Sequence, residues 1–143
     1  GGILVVMAND SGNAELNHLN ELCATFGIHL NADSKSKVTG NQFEMGAFHI
    51  PSNDPVFKTA KKVYLKEVTS LRLTGKAVAM LKNEKENYVV AAYAPYGKGM
   101  AIVIGDPWFY NEYLNGRLGE NSGWDNDKAA ADLTRWISSK ISK

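Results

Sequence analysis

The sequence predicts an α/β fold: an open sheet flanked by helices, with an added β-meander. Three observations lead there. An apolar run from Ile3 to Met7 passes through a polar turn into an amphipathic segment. A second run, Met100 to Ile104, has no polar interruption, as expected of a strand covered on both faces. The chain then closes on a segment with one apolar helical face.

In chain order, Ile3 to Met7 is a strand, and Asn9-Asp10-Ser11-Gly12 breaks it with helix N-cap chemistry. From Asn13 to Phe26 the residues Leu16, Leu19, Leu22, Cys23 and Phe26 recur at helical spacing, so a helix follows, with Gly27 as its stop. Ile28-His29-Leu30 is a short second strand, and residues 31–40 are polar loop. Gln42 to Ile50 suits a strand or half-buried segment and ends in Pro51-Ser52-Asn53-Asp54-Pro55, a double turn signal. Val63, Leu65, Val68, Leu71 and Leu73 alternate in part across residues 62–73. Ala77 to Leu81 and Tyr88 to Tyr93, joined by the polar turn Asn83 to Asn87, read as a hairpin, and the turn Tyr96 to Gly99 carries the meander into Met100 to Ile104. Asp125 or Asp127 caps the last helix, whose apolar face is Ala130, Leu133, Trp136, Ile137 and Ile141. Lys140 and Lys143 lie near its end, where cations are favoured. With no repeat or linker, residues 1–143 read as one domain.

Composition narrows the function classes. At 44% hydrophobic and 22% charged, the chain has material for a real core without disulfides or metals. Sixteen basic against fifteen acidic residues leave +1, too weak a field to recruit nucleic acid or an acidic membrane. The lysines at 58, 61, 62 and 66 read as a solvated or guarded strand edge. The single Cys23 excludes a disulfide framework, and no Cys/His spacing suggests zinc, so neither metal nor cofactor is expected. No apolar run is long enough to span a bilayer.

The candidate site lies where strands end. Open α/β sheets bind ligands at the carboxyl ends of their strands. Asp106, Trp108, Tyr110, Asn111 and Glu112 follow the Met100 to Ile104 strand, while Asn9, Asp10 and Ser11 follow Ile3 to Met7. Two converging carboxylates, Asp10 and Asp106, suit acid–base work or cation binding; an N-cap and a turn former are the structural alternatives. The aromatic residues of this segment, Tyr113 and Trp124 included, suit an interface, a core or stacking on sugar. Of the histidines only His49, near Gln42 and Glu44, is placed to reach a ligand from the central loop.

Gly1-Gly2-Ile3-Leu4-Val5-Val6, Asp54-Pro55-Val56-Phe57, Tyr96-Gly97-Lys98-Gly99, Ile104-Gly105-Asp106-Pro107-Trp108 and the closing Trp136-Ile137 together resemble the class I glutamine-amidotransferase-like, flavodoxin-like fold. Asn9-Asp10-Ser11, residues 40–46 and residues 107–113 carry a closer likeness to the branch attached to bacterial unsaturated rhamnogalacturonyl hydrolases. The resemblance implies that one or two βα units precede Gly1, so that the chain is the C-terminal part of something larger. It also implies an extracytoplasmic bacterial setting, with the catalytic domain of a polysaccharide hydrolase or an oligosaccharide as partner. A working amidotransferase needs a Cys nucleophile and a His-x-Glu pair; Met7-Ala8-Asn9-Asp10 and Gly105-Asp106 stand where these belong, and Cys23 falls on an apolar helix face. The expectation is therefore a catalytically silent accessory module for pectin breakdown. The alternative is a small carbohydrate-active hydrolase using carboxylates at the sheet's edge. A first strand left unpaired predicts self-association through that edge.

Overall fold

A computed structural model of the chain describes residues 1–110, 113–115, 117–118 and 123–141, with the main chain alone at Trp108. The elements are β1 (Ile3–Met7), α1 (Leu16–Ala24), β2 (Ile28–Leu30), β3 (Ala47–His49), β4 (Lys62–Tyr64), β5 (Leu71–Leu73), β6 (Val78–Asn83), β7 (Tyr88–Tyr96), β8 (Gly99–Ile104) and α2 (Asn126–Ile141). Short 3₁₀ turns occupy Phe43–Gly46 and Pro107–Tyr110.

The main sheet runs β1-β8-β7-β5-β2, with β6 also on β7, while β3 and β4 form a separate pair. Among the described strands only β1 and β8 are parallel. The fold is thus a curled mixed sheet with two helices. The expected α/β class and the β6-β7-β8 meander are present, but the finer flavodoxin-like arrangement is not confirmed, the main sheet being mixed. Successive strand residues face opposite sides of a sheet. Accordingly Ile102 and Ile104 of β8 join the core that holds Ala129, Ala130 and Leu133 of α2. Val103 joins the core that holds Leu16 and Cys23 of α1. Ala101, Ile102, Val103 and Ile104 are all buried, as their uninterrupted apolarity predicts.

Several boundaries moved for identifiable reasons. The first helix starts at Leu16 rather than Asn13, because the Glu15 carboxylate accepts the N–H groups of Asn17 (3.0 Å) and His18 (3.1 Å) and so acts as N-cap. Those two N–H groups hold the Glu15 carboxyl below its ordinary range. Asn9 to Gly12 instead enters a turn in which the Asp10 carbonyl accepts Asn13 N–H (2.9 Å) and Ala14 N–H (3.0 Å). Gly27 ends the helix region in the left-handed conformation, φ +71°, where a side chain would also strike the Thr74 carbonyl. Residues 62–73, whose apolar residues alternate only in part, hold two strands. Between them the chain crosses from the β3–β4 pair to the main sheet, with Leu65 and Val68 fully buried on the way.

Two asparagines tie helices to strands. Asn20 of α1 donates to the Leu30 carbonyl (2.9 Å) and accepts the Leu30 N–H (2.8 Å). Asn126, at the start of α2, does the same for Tyr64 at 2.9 Å in each direction. Each side-chain amide thereby satisfies a strand's main-chain groups. Asp125 stands at the cap position before α2, its carbonyl accepting Ala129 N–H (2.8 Å). Its carboxylate binds Lys61 N–H (2.9 Å) and Lys128 Nζ (2.6 Å). Among the described residues no helix is long and apolar enough to cross a membrane.

Candidate functional site

The parallel pairing of β1 with β8 brings their carboxyl ends together. Met7 lies opposite Ile104, and Ala8 N–H donates to the Ile104 carbonyl (3.0 Å), so Asn9-Asp10 and Gly105-Asp106 are neighbours. Both aspartates are buried, Asp10 at 5% and Asp106 at 1% exposure. A third carboxylate, Asp33, belongs to the same edge. Its carbonyl accepts Ser11 N–H (3.3 Å), and its side chain accepts Ser70 N–H (2.8 Å) and Ser70 Oγ (2.6 Å). Asp33 was hidden in the aperiodic loop of residues 31–40, whose polar composition was its only signal.

This edge is built as joinery. Asp10 Oδ1 accepts Asn13 Nδ2 (2.7 Å), while Asn9 Oδ1 accepts Asp10 N–H (2.9 Å). Ser11 is exposed. Tyr110 donates to the Ala130 carbonyl (3.1 Å) and sits 3.0 Å from Thr134 Oγ1, which pins the 3₁₀ turn to α2; burial pushes its phenol up. Asn111, Glu112 and the side chain of Trp108 lie outside the described residues. Among the described residues no group of three His, Cys, Asp or Glu is arranged to hold a metal. Cys23 is fully buried on α1, and burial pushes its thiol up, the opposite of an activated nucleophile. Asp10→Ala should therefore cost about 0.5–1.5 kcal/mol of stability, the net worth of its hydrogen bond to Asn13, whose exposed amide then turns to water. Urea unfolding measures it, and an unchanged midpoint would remove the structural role.

His49 is elsewhere. It is exposed on β3 and lines a groove of about 420 Å³ with Ser36, Glu44, Met45, Asn83 and Glu86. Beside the groove Ser36 Oγ lies 2.6 Å from Tyr88 Oη, which also accepts Asn83 Nδ2 (3.3 Å). Burial pushes the Tyr88 phenol up. The structure therefore does not bring His49 to Asp10 and Asp106.

β1 presents apolar surface at the end of the sheet. It ends the strand order, and Leu4 (38% exposed) and Val5 (39%) present apolar surface on opposite faces of one strand. Leu4 also borders a groove of about 570 Å³ with Ile3, Phe26, Tyr96, Lys98 and Met100. There the Phe26 and Tyr96 rings meet edge to face at 5.3 Å, and Tyr96 is 58% exposed. An unpaired strand normally carries a lysine, a proline or a bulge to discourage pairing. Residues 1–9 contain no charged side chain and no proline.

No family model matches the chain. No curated protein matches it. Among solved structures it is similar to the mmIFT52 N-terminal domain, of an intraflagellar transport protein, at a TM-score of 0.71 and 19% identity over 96% of this chain. The chain spans 65% of that solved chain's length. A likeness at this identity shows the fold alone. It corrects the resemblance drawn from short motifs: the matching structure is neither a class I glutamine-amidotransferase-like domain nor one attached to rhamnogalacturonyl hydrolases. The pectin accessory module and the carbohydrate-active hydrolase fall with it, as does the carbohydrate vocabulary attached to them. The physical reason is visible in the motifs. Gly99 and Gly105 stand where another main chain passes too close for a side chain, and Gly97 takes a positive φ. A fold of this shape needs such residues whatever it does.

Proposed function

We propose that this chain is a non-catalytic protein-docking domain whose β1 edge receives an extended segment of a partner. One observation carries the reading. Ala8 N–H donates to the Ile104 carbonyl and the Gly2 carbonyl accepts Met100 N–H (3.2 Å), so the even-numbered residues of β1 turn their main-chain groups to β8. The main-chain groups of Ile3, Val5 and Met7 consequently point away from the sheet, beside the exposed side chains of Leu4 and Val5. Adding a strand to such an edge forms main-chain hydrogen bonds while side chains on both faces supply selectivity. The interlocked carboxylates and the buried thiol favour docking over chemistry, and a fold shared with a domain of an intraflagellar transport protein is compatible with an assembly role.

Amide exchange read residue by residue by NMR tests this, with an alternating Thr-Val heptapeptide as a generic extended probe. Saturating peptide should slow exchange of the Ile3, Val5 and Met7 amides by about tenfold or more, and leave Leu4 and Val6, already bonded to β8, nearly unchanged. Protection confined to another element would overturn the reading.

A further inference from the structure

We infer that the segment received by β1 is β1 of a second copy, paired antiparallel about a two-fold axis at Val5. This inference rests on the docking-edge reading and names its partner. In that register Val5 faces its own counterpart, Ile3 faces Met7 and Leu4 faces Val6. All three outward-pointing residues, Ile3, Val5 and Met7, then fall in hydrogen-bonded pairs, giving six main-chain bonds with no outward N–H or C=O of the strand left over.

Side-chain chemistry is self-complementary in the same register. Leu4 and Val6 lie on one face, Ile3, Val5 and Met7 on the other, and every cross-strand pair is apolar on apolar. The side chains left open in one copy, Leu4 and Val5, gain cover from the partner's strand on both faces of the joined sheet. No charged side chain within residues 1–9 opposes the approach, and a chain of net charge +1 repels its copy only weakly. A two-fold axis requires each patch to meet itself, and this strand does so without a mismatch.

Sedimentation equilibrium of the purified chain, wild type and Val5→Lys, is the first test. The wild type should approach twice the mass of one chain as concentration rises. Val5→Lys, which sets two lysines face to face at the axis, should self-associate at least about tenfold more weakly with its far-ultraviolet spectrum retained. Register is read separately with oxidised glutathione as oxidant. Val5→Cys should cross-link to itself, because directly opposed residues have Cα atoms about 5.5 Å apart, within disulfide reach. Leu4→Cys, displaced by two residues from its own counterpart, should not. Should Val5→Lys not fold, concentration-dependent protection of the Ile3, Val5 and Met7 amides in the wild type answers the same question. A dimer that survives Val5→Lys, or cross-links only through Leu4→Cys, overturns the inference. A chain that stays monomeric but still protects β1 with the heptapeptide overturns the second copy alone, whereas a monomer that protects nothing overturns the docking edge as well.

Discussion

Asp132→Ala should destabilise the fold by about 1–3 kcal/mol, the range for leaving a buried hydrogen-bond donor without its acceptor. The carboxylate is buried in α2, at 3% exposure for the residue, yet it faces the loop before β4. It accepts Thr59 N–H (2.6 Å), Ala60 N–H (3.1 Å) and Thr59 Oγ1 (3.0 Å), and Arg135 Nη2 reaches it at 2.7 Å from the helix surface. The Ala60 N–H matters most, because that residue is buried and deletion leaves its donor without an acceptor, whereas Thr59 is exposed and Arg135, 64% exposed, returns to water. Arg135→Ala should accordingly cost less than about 1 kcal/mol. Equal losses in the two variants, measured by urea unfolding, would mean that the ion pair and not the loop clamp holds α2.

Acid provides a second reading of the same clamp. Burial is the largest single influence on the Asp132 carboxyl and acts to raise it, but the hydrogen bonds from Thr59, Arg135 and Ala60 together outweigh it and hold the group below its ordinary range. A carboxyl depressed in the folded state stabilises the fold above its unfolded value, about 3.9, and that contribution disappears as pH falls through the folded value. The stability gap between wild type and Asp132→Asn should therefore be full at pH 6 and shrink below about pH 4. Asp125, also held low, contributes with the same sign in both proteins and so cancels from the difference. A gap that widens in acid would contradict the assignment.

Gly105→Ala should cost about 3 kcal/mol, at the upper end of the usual overpacking penalty. At the end of β8 its N–H donates to the Val90 carbonyl (2.7 Å) and its carbonyl accepts Thr69 N–H (2.9 Å). A Cβ there would strike the Thr69 carbonyl oxygen and come within 3.0 Å of Thr69 Cγ2. Neither chain can retreat without breaking one of those two bonds, so strain opens the contact between the end of β8 and Thr69 ahead of β5 and displaces Asp106. Gly12→Ala is the matched control, since a Cβ there meets nothing within 4 Å and its φ is not positive. It should be neutral or stabilising by up to about 1 kcal/mol. Indistinguishable melting of the two variants would remove the close-approach argument.

Much of the local structure was legible because it is written in side-chain spacing. β1, β2 and β8 were readable as apolar runs, and the burial of Cys23 followed from its place among Leu16, Leu19 and Phe26. The candidate site was legible only in part. Asp10 and Asp106 follow the neighbouring carboxyl ends of β1 and β8, but neither the anchoring of Tyr110 on α2 nor the joining of Asp33 to Ser70 carries a periodic signal. His49, read as reaching a ligand from the central loop near Glu44, lies on the β3–β4 pair and shares a groove with Glu44.

By itself the sequence determined most of the strand and helix stretches, the inward face of β8, and that β1 carries no charged side chain to guard an edge, though Leu22 and Ile141 of the apolar helix faces stay exposed. Only the tertiary structure decided which strands pair and in which direction. It set the mixed sheet, the two asparagine ties, the clamp at Asp132 and the outward direction of the Ile3, Val5 and Met7 main-chain groups. The physical reason is range. Periodicity records how a residue sits relative to its neighbours in the chain. A hydrogen bond between residues sixty or seventy positions apart, such as Tyr64 with Asn126 or Thr59 with Asp132, leaves no local trace until the chain has closed around it.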